Sequence, residues 1–177
     1  MSKVILYIAM SLDGYIATKD GGVGWLDPFN GTGDDYGFNK LVDSIDVNIQ
    51  GANTYKQVLG FDVDYPYKSK SFVVTRQKLD VPSGANVEFF SGELSKLVVK
   101  AKEEAKKDIW LIGGGNLAQQ FIKQNLVDEM IISLMPVLIG EGIQLFGDTG
   151  TPKSLELVEV EKFKAGVLNL RYKAVSL

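Results

Sequence analysis

Three consecutive glycines, Gly113–Gly115, form the segment of this sequence whose residue types and position point most directly to chemistry. They stand between an apolar stretch typical of a buried strand, Asp108–Ile112, and residues 116–124, whose apolar spacing indicates a helix. Glycine permits positive φ angles and lets a ligand approach the backbone closely. The first turn of a helix then offers unpaired amide groups and a positive dipole end to an anion. This arrangement indicates a phosphate site.

A tight strand-to-helix turn without any ligand is the alternative explanation of the glycine segment. One glycine would suffice for such a turn, and each glycine costs about 0.5–1 kcal/mol of stability relative to alanine. Three in a row therefore favour a bound ligand. The segment matches neither the G-x-G-x-x-G fingerprint of dinucleotide-binding folds nor the phosphate-binding loop of nucleotide hydrolases, so the pattern alone does not name the ligand.

The elements that must position the glycine segment follow from the hydrophobic pattern along the chain. Apolar runs predict strands at Val4–Met10, Val47–Gln50, Ser71–Thr75, Val87–Phe90, Asp108–Ile112 and Asp128–Leu138. Helical spacing predicts helices near residues 34–45, at Asn53–Leu59, at Glu93–Lys107 and from Asn116 to Gln124. Alternating apolar and polar residues predict a terminal hairpin of Ser154–Lys164 and Val167–Val175. This order implies a single α/β domain over residues 1–177, with a mostly parallel sheet and an antiparallel edge.

The composition excludes several kinds of chemistry. The chain has no cysteine and no histidine, which rules out disulfides, thiolate nucleophiles, Cys- or His-ligated metals and histidine acid–base catalysis. We expect no metal site, and proton transfer must use Asp, Glu, Tyr, Lys or water. A net charge of -3 and a pI near 5.1 argue against a nucleic acid partner. No apolar run approaches the roughly 18–20 residues that span a membrane, and a signal-peptide cleavage pattern is missing, so we expect a cytoplasmic protein that binds no membrane.

Six segments, taken together and in this order, resemble one known family. They are M-S-L-D-G-Y-I-A (Met10–Ala17), G-W-L (Gly24–Leu26), G-A-N-T-Y (Gly51–Tyr55), F-V-V-T-R (Phe72–Arg76), L-I-G-G-G-N-L (Leu111–Leu117) and the segment from Leu126 to Phe146 that contains P-V-L-I-G-E-G-I-Q-L-F. The chain resembles the dihydrofolate reductase superfamily, in the branch similar to the C-terminal reductase domain of the bifunctional riboflavin-biosynthesis deaminase/reductase. The resemblance implies a dihydrofolate-reductase-like three-layer fold, with NADPH across the strand ends of a mostly parallel mixed sheet of about eight strands, flanking helices and a C-terminal antiparallel hairpin.

The resemblance also implies which residues hold the cofactor. Ala9 and Ile16 would contact the nicotinamide end, and Ala17 and the loop after it would close over that end. Thr54 would approach the pyrophosphate from the start of a short helix. The full cofactor set that the resemblance implies is Ala9, Ile16, Ala17, Gly51, Thr54, Thr75, Arg76, Ile112, Gly113, Gly114, Gly115, Asn116, Leu117, Gly142 and Gln144.

Two positions depart from the pattern of the family. The family commonly places an arginine that pairs with the adenosine 2′-phosphate directly after the glycine matching Gly51, and this sequence has Ala52 there. Arg76, which with Thr75 would lie beside that phosphate, could supply the missing charge through bidentate hydrogen bonds, or it could be a solvated charge at the end of a strand. The riboflavin-pathway reductases usually carry a Ser-Gln-Trp type of segment near the substrate, where this chain reads V-G-W-L-D (Val23–Asp27).

Two acids and four aromatic residues are the candidates for the substrate side of the cleft. Asp34 and Asp35 are possible proton donors, since true dihydrofolate reductases use a buried carboxylate on the helix after the tryptophan. Both acids also suit the cap and first turn of the predicted helix. The aromatic candidates are Trp25, Tyr36, Phe38 and Tyr55. For Trp25 a hydrophobic anchor is an equal alternative, because a tryptophan in a loop serves that purpose as often as it lines a binding site.

The expected function is hydride transfer from NADPH to a small pyrimidine- or pterin-like heterocycle, similar to that of 5-amino-6-(5-phosphoribosylamino)uracil reductase. Dihydrofolate reductase proper is an alternative within the same class. A nucleotide-binding protein that keeps this fold without catalysis is a further alternative, because Ala52 and the lack of a clear acid leave room for it. Apolar residues of Met130–Leu138 and of the C-terminal hairpin predict that a partner chain covers part of the sheet. The resemblance to the riboflavin-pathway reductases implies that this partner is a second copy of the chain, in a homodimer.

Overall fold

The strands and helices of the structure follow the hydrophobic pattern of the sequence closely. The structure, a computed structural model, describes residues 1–61, 64–147 and 149–175. The strands within these ranges are β1 (Val4–Ser11), β2 (Tyr15–Ala17), β3 (Ile45–Gly51), β4 (Lys70–Val74), β5 (Val87–Phe90), β6 (Asp108–Gly113), β7 (Glu129–Met135), β8 (Ile143–Gln144), β9 (Leu155–Lys162) and β10 (Leu168–Ala174). The helices are α1 (Phe38–Ser44), α2 (Ala52–Leu59), α3 (Leu94–Glu104), α4 (Gly115–Lys123) and a 3₁₀ helix at Gly24–Phe29. None of these helices has the length and apolar character needed to span a bilayer.

Eight of these strands form one mixed sheet in the order β5-β4-β3-β6-β1-β7-β10-β9. The strands from β5 to β7 in this order run parallel, whereas β10 pairs antiparallel with β7, and β9 pairs antiparallel with β10. β1 lies between β6 and β7, with Ile5 paired to Trp110 on one side and to Glu129 on the other. The predicted fold, a mostly parallel sheet with a C-terminal antiparallel hairpin, is confirmed.

Strand alternation divides the apolar side chains between the two faces of the sheet. On the first face Leu6 and Leu111 are fully buried beneath α3 and α4, and Phe121 of α4 packs into the same cluster. On the second face Ile5 and Trp110 are buried in a smaller cluster with α1. Because both faces are covered by helices, β1 and β6 are mostly apolar on both sides, as is typical of a parallel sheet. The neighbouring strand β3 differs, because Asn48 and Gln50 are buried polar residues.

The segment ahead of α1 differs from the prediction. The helix expected near residues 34–45 begins only at Phe38, because Tyr36 (φ 51°) and Gly37 (φ 80°) adopt left-handed backbone conformations. Left-handed residues cannot extend a right-handed helix. At the other end of the chain β7 stops at Met135, one residue before Pro136, which has no amide to offer to a neighbouring strand.

A two-stranded ribbon of β2 and β8 lies apart from the main sheet. Tyr15 pairs with Gln144, and Ala17 pairs with Ile143, in an antiparallel register. The hydrophobic pattern does not predict this ribbon, because strands of three and two residues are too short to show a periodicity.

Candidate functional site

The carboxyl ends of the parallel strands meet at one edge of the sheet, where two of them lead directly into helices. β3 ends at Gly51 and continues into α2, and β6 ends at Gly113 and continues through Gly114 into α4. These strands are neighbours, with Gln50 paired to Gly113, so the two helix N-termini lie side by side. The N-cap residues are Gly51 and Gly114, and neither offers a side chain to the first amides of its helix. Those amides remain available to an anion.

The two strand-to-helix turns approach each other through glycine. A Cβ atom built on Gly51 would lie 3.8 Å from the Gly113 carbonyl oxygen, and one built on Gly114 would lie 3.1 Å from Thr54 Oγ1. The Gly113–Gly114 peptide bond is cis, and Gly113 has a φ of 109°, which residues with side chains rarely adopt. The structure therefore brings four members of the predicted cofactor set together at one junction.

A strap, defined here as residues 136–144, comprises the loop after β7 and strand β8, and it lies against the glycine segment. A Cβ atom built on Gly115 would lie 3.2 Å from Ile16 Cδ1 and 3.2 Å from the Gln144 carbonyl oxygen. A Cβ atom built on Gly142 would lie 2.2 Å from the Ala17 carbonyl oxygen. The ribbon of β2 and β8 can pack this closely only because residues 115 and 142 are glycines. Five further predicted cofactor residues therefore lie together: Ile16, Ala17 and Gln144 of the ribbon, Gly142 of the strap and Gly115 of α4.

Other members of the predicted cofactor set have more varied surroundings. Ala9 is half-buried in β1 and pairs with Ser133 of β7. Ile112 packs against the second-face cluster, and Asn116 is exposed in the first turn of α4. Leu117 is buried in the first-face core, so it can offer only its backbone to a ligand.

Thr75 and Arg76 follow β4, the strand next to β3. The Thr75 amide donates to the Phe90 carbonyl oxygen at 2.9 Å, and Thr75 Oγ1 accepts a hydrogen bond from the Gln77 amide at 2.9 Å. Arg76 is exposed and has no hydrogen bond or ion pair within the part of the chain that the structure describes. Its guanidinium is therefore available to an anionic group of a ligand.

Asp34 and Asp35, the two predicted proton donors, have different surroundings. Asp35 is exposed, and its carboxylate accepts hydrogen bonds from the amides of Gly37 and Asn39, both at 3.0 Å. These two bonds, of which the one from the Asn39 amide has the larger effect, hold the pKa of Asp35 below its ordinary value. Such bonds are typical of a residue that caps the start of a helix. Asp34 is half-buried, and its Oδ2 atom is buried without a hydrogen-bond partner among the described residues. Asp34 is the acid with an oxygen left for another group.

Tyr55 does not face the cleft, which corrects its assignment to the substrate side. It is fully buried, and its hydroxyl donates to the Asp80 carbonyl oxygen at 2.7 Å. The reason is the amphipathic character of α2, which turns Tyr55 and Val58, three residues apart, toward the core. Trp25, in the 3₁₀ helix, is half-buried, and its indole N–H is buried with no acceptor in the described ranges.

A row of aromatic rings, most of which the sequence pattern does not predict, crosses the second face of the sheet. Phe38, which is 41% exposed, packs against Tyr7 and Trp110 with centroid distances of 6.4 and 5.7 Å. Tyr67 continues the row at 5.6 Å from Trp110, and Tyr65 follows at 5.3 Å from Tyr67. The two-residue periodicity of β1 could have placed Tyr7 on this face, whereas Tyr65 and Tyr67 lie in a loop without periodicity.

Tyr36 is held in place by a polar network that begins on β1. The Tyr7 hydroxyl and the Asn169 side-chain amide both donate to the Tyr36 carbonyl oxygen, at 2.9 and 2.5 Å. The Ser133 hydroxyl in turn donates to Asn169 Oδ1 at 2.7 Å. Burial raises the pKa of Tyr7, so its hydroxyl remains a neutral donor. The Tyr36 hydroxyl donates to the Phe29 carbonyl oxygen at 3.1 Å, which ties the 3₁₀ helix to the same network.

Comparison with known protein families and sequences agrees with this geometry. Residues 2–169 match the family described as the RibD C-terminal domain. YwjB, an uncharacterised protein of Bacillus subtilis, is 35% identical over 165 residues, which cover 93% of this chain and 94% of YwjB.

Solved structures share the architecture. A protein from Shewanella sp. PV-4 that is provisionally assigned to riboflavin biosynthesis superposes with a TM-score of 0.88 and 33% identity, covering 98% of this chain and 99% of that one. Dihydrofolate reductase from Enterococcus faecalis, complexed with NADP(H), superposes with a TM-score of 0.66 and 16% identity, covering 98% and 97% of the two chains. The second likeness concerns the fold alone. The resemblance inferred from the six sequence segments is therefore confirmed.

Proposed function

We propose that this chain, which belongs to the RibD C-terminal domain family, is a reductase that uses a nicotinamide dinucleotide to reduce a small heterocycle. One observation carries the proposal: two uncapped helix N-termini meet at the carboxyl edge of the sheet, where a Cβ atom on Gly51 would lie 3.8 Å from the Gly113 carbonyl oxygen. The linked phosphates of a dinucleotide are anions that suit such a pair of turns. The Enterococcus enzyme of the same fold, which is complexed with NADP(H), supports this choice.

The surroundings of the junction suit the two ends of a dinucleotide. Ile16 lies against the glycine segment, and together with Ala9 of β1 it would offer an apolar wall to the nicotinamide ring. Arg76, exposed beyond β4, would offer a cation to the adenosine 2′-phosphate, so NADPH is the cofactor that we propose. The bound nicotinamide supplies the hydride, while the protein orients it and excludes water.

The second face of the sheet suggests the substrate class. Pyrimidine and pterin rings are planar, and such rings pack favourably against aromatic side chains. Phe38 is the exposed member of the aromatic row on this face. The Shewanella relative provisionally assigned to riboflavin biosynthesis favours a substrate of that pathway, and we propose a pyrimidine similar to 5-amino-6-(5-phosphoribosylamino)uracil.

Asp34 is the residue that we propose as the source of the proton for the reduced heterocycle. Its buried Oδ2 atom has no partner among the described residues, whereas both oxygens of Asp35 are engaged by amides. The same observation makes dihydrofolate reductase activity the second candidate function, because that reaction also needs one partly buried carboxylate beside a pterin.

Thermal unfolding with added dinucleotide, followed by a turnover assay, tests the proposed function. Ligands that bind only the folded state raise the unfolding temperature, so we expect NADPH to raise it and NADH to raise it less. Oxidation of NADPH is then followed with a pyrimidine substrate and with dihydrofolate. No shift with either dinucleotide at about 1 mM would contradict the cofactor proposal. Binding without turnover of any heterocycle would favour a nucleotide-binding protein without catalysis.

The outer strand β9 is the surface where we propose that a second copy of the chain binds. All eight residues of β9 are exposed, and Leu157, Val158 and Val160 are each more than half exposed. β9 is also an edge strand of the sheet, and proteins normally protect long apolar edges. A two-fold axis would let this patch cover itself in a closed homodimer.

A further inference from the structure

Asp13, in the turn between β1 and β2, is bonded to a loop that is far from it in sequence. Its Oδ1 atom accepts hydrogen bonds from the Ser11 hydroxyl at 2.6 Å and from the Ile139 amide at 3.1 Å, and its Oδ2 atom accepts one from the Gly140 amide at 2.7 Å. Both amides belong to the strap. We propose that Asp13 is a positioning residue for the dinucleotide, because it pins the strap so that β8 closes against the cofactor site. This inference rests on the proposed function.

The pinned loop leads directly to the contacts with the glycine segment. Gly142, two residues after Gly140, passes so close to β2 that a Cβ atom on it would lie 2.2 Å from the Ala17 carbonyl oxygen. The next residue, Ile143, reaches the start of α4, where a Cβ atom on Gly115 would lie 2.8 Å from Ile143 Cγ2. Only a few residues separate the Ile139 and Gly140 amides, which bind Asp13, from the contacts that Gly142 and Ile143 make. The position of the loop at Asp13 therefore sets the position of β8.

The bonds of Asp13 suit a carboxylate better than a neutral side chain. Three donors converge on it, and an ionised carboxylate accepts with both oxygens. These bonds lower the pKa of Asp13, and the bond from the Ser11 hydroxyl has the largest effect. The Asp13 carboxyl group is therefore ionised at neutral pH. Asparagine would turn an NH2 group toward one of the strap amides, and alanine would leave both amides without this acceptor. Either change should loosen the strap while the main sheet stays intact.

The dissociation constant of NADPH, measured by titration calorimetry on the full chain, tests this role. We expect Asp13→Asn and Asp13→Ala to weaken NADPH binding roughly tenfold and to speed hydrogen exchange in residues 136–144. Asp46→Asn is the matched control, because the Asp46 carboxylate accepts bonds from the Lys106 and Lys107 amides at 3.0 and 3.2 Å. Asp46 lies near the start of β3, at the end opposite Gly51, so its substitution should change the dissociation constant less than about twofold.

A second variant makes the test independent of how well the Asp13 variants fold. Ile143→Ala shortens a strap side chain that is 37% exposed, and it should also weaken NADPH binding. In the double variant the effect of Asp13→Asn should be smaller than in the wild type, because both changes act on the same strap. Unchanged NADPH affinity in both Asp13 variants, or additive effects in the double variant, would overturn the positioning role. If the wild type binds neither NADPH nor NADH, the proposed function itself fails, and the positioning role fails with it.

Discussion

Thr54 and Gly114 belong to different strand-to-helix turns, yet a Cβ atom built on Gly114 would lie only 3.1 Å from Thr54 Oγ1. The two turns meet because β3 and β6 are parallel neighbours, with Gln50 paired to Gly113 at their carboxyl ends. Any anion placed at this junction would meet the N-termini of two helices at once, so the dipoles of both helices would act on it.

Gly114→Ala places a methyl group in the contact between the two turns. At 3.1 Å from Thr54 Oγ1 the methyl requires Thr54 or the turn to shift by a few tenths of an ångström, which disturbs the junction, so we expect the affinity for NADPH to fall about tenfold. Gly60→Ala is the control, because a Cβ atom there would lie 3.4 Å from the Gln57 carbonyl oxygen at the far end of α2. Titration of both variants with NADPH checks the prediction. Equal affinities for NADPH in Gly114→Ala and Gly60→Ala would show that the dinucleotide binds elsewhere.

Arg76→Gln removes the exposed guanidinium after β4. NADPH differs from NADH only by the 2′-phosphate, so the NADPH affinity should fall about tenfold while the NADH affinity stays unchanged. Lys78→Gln removes another exposed cation two residues further along the chain and should leave both affinities as they are. The measurement is the ratio of the two dissociation constants in each variant. An unchanged ratio in Arg76→Gln would mean that Arg76 is a solvated strand-end charge.

The glycine junction could be predicted from the sequence because burial imposes a pattern on the strands around it. A parallel strand that is covered on both faces is apolar along most of its length. For this reason β1 and β6 stand out in the sequence as continuous runs of apolar residues. The strand order then brings their carboxyl ends to one edge. Gly113–Gly115 therefore lies where the sequence predicts it, at the end of β6 and the start of α4.

The parts of the site that the sequence did not predict depend on contacts without a periodic signal. Asp34 and Asp35 are adjacent acids with the same tendency to cap a helix. Only the left-handed conformation of Tyr36 and Gly37 directs the amides of Gly37 and Asn39 to the carboxylate of Asp35. The packing of α2 decides that Tyr55 is a core residue. The strap is fixed by bonds that join Asp13 to residues more than 120 positions away, and no local pattern predicts such bonds.

Asp34→Asn tests the proposed proton donor. General acid catalysis typically contributes about 100-fold or more to a rate, so turnover should fall by about that factor while the NADPH affinity stays unchanged. Asp35→Asn is the neighbouring control, and its turnover should remain close to that of the wild type. Steady-state assays with the heterocycle that the wild type reduces give both values. Equal turnover in Asp34→Asn and the wild type would assign the proton to another group or to water.

Asp35 should contribute a pH-dependent part of the stability. The amides of Asn39 and Gly37 hold its pKa below 3.8 in the folded state. A carboxyl with a lowered pKa stabilises the fold above its unfolded pKa, and the contribution is lost as the pH falls through the folded pKa. Asp35→Asn keeps a capping oxygen but removes the charge, so it should lower the free energy of unfolding by about 0.5 kcal/mol at neutral pH, which is the size of an exposed charge–dipole interaction at a helix N-terminus. Urea unfolding at neutral and acidic pH measures the difference, and a difference that persists at pH values well below 3.8 would contradict this account.

Leu157→Lys tests whether a second copy of the chain covers β9. Leu157 is 52% exposed on a strand whose eight residues are all exposed, so a lysine there should be tolerated by the isolated chain. In a dimer the same lysine would be buried without a partner charge, which is strongly unfavourable. We therefore expect light scattering at micromolar concentration to give a dimer for the wild type and a monomer for Leu157→Lys.

Glu156→Lys is the matched control for this substitution. It places the same side chain one residue away, on the opposite face of the strand, and it should leave the dimer intact if the apolar side chains of β9 form the interface. Loss of the dimer in both variants would instead indicate pairing between the edges of two β9 strands, because edge pairing places both side chains next to the partner. A monomeric wild type would contradict the homodimer and leave the apolar side chains of β9 exposed to solvent.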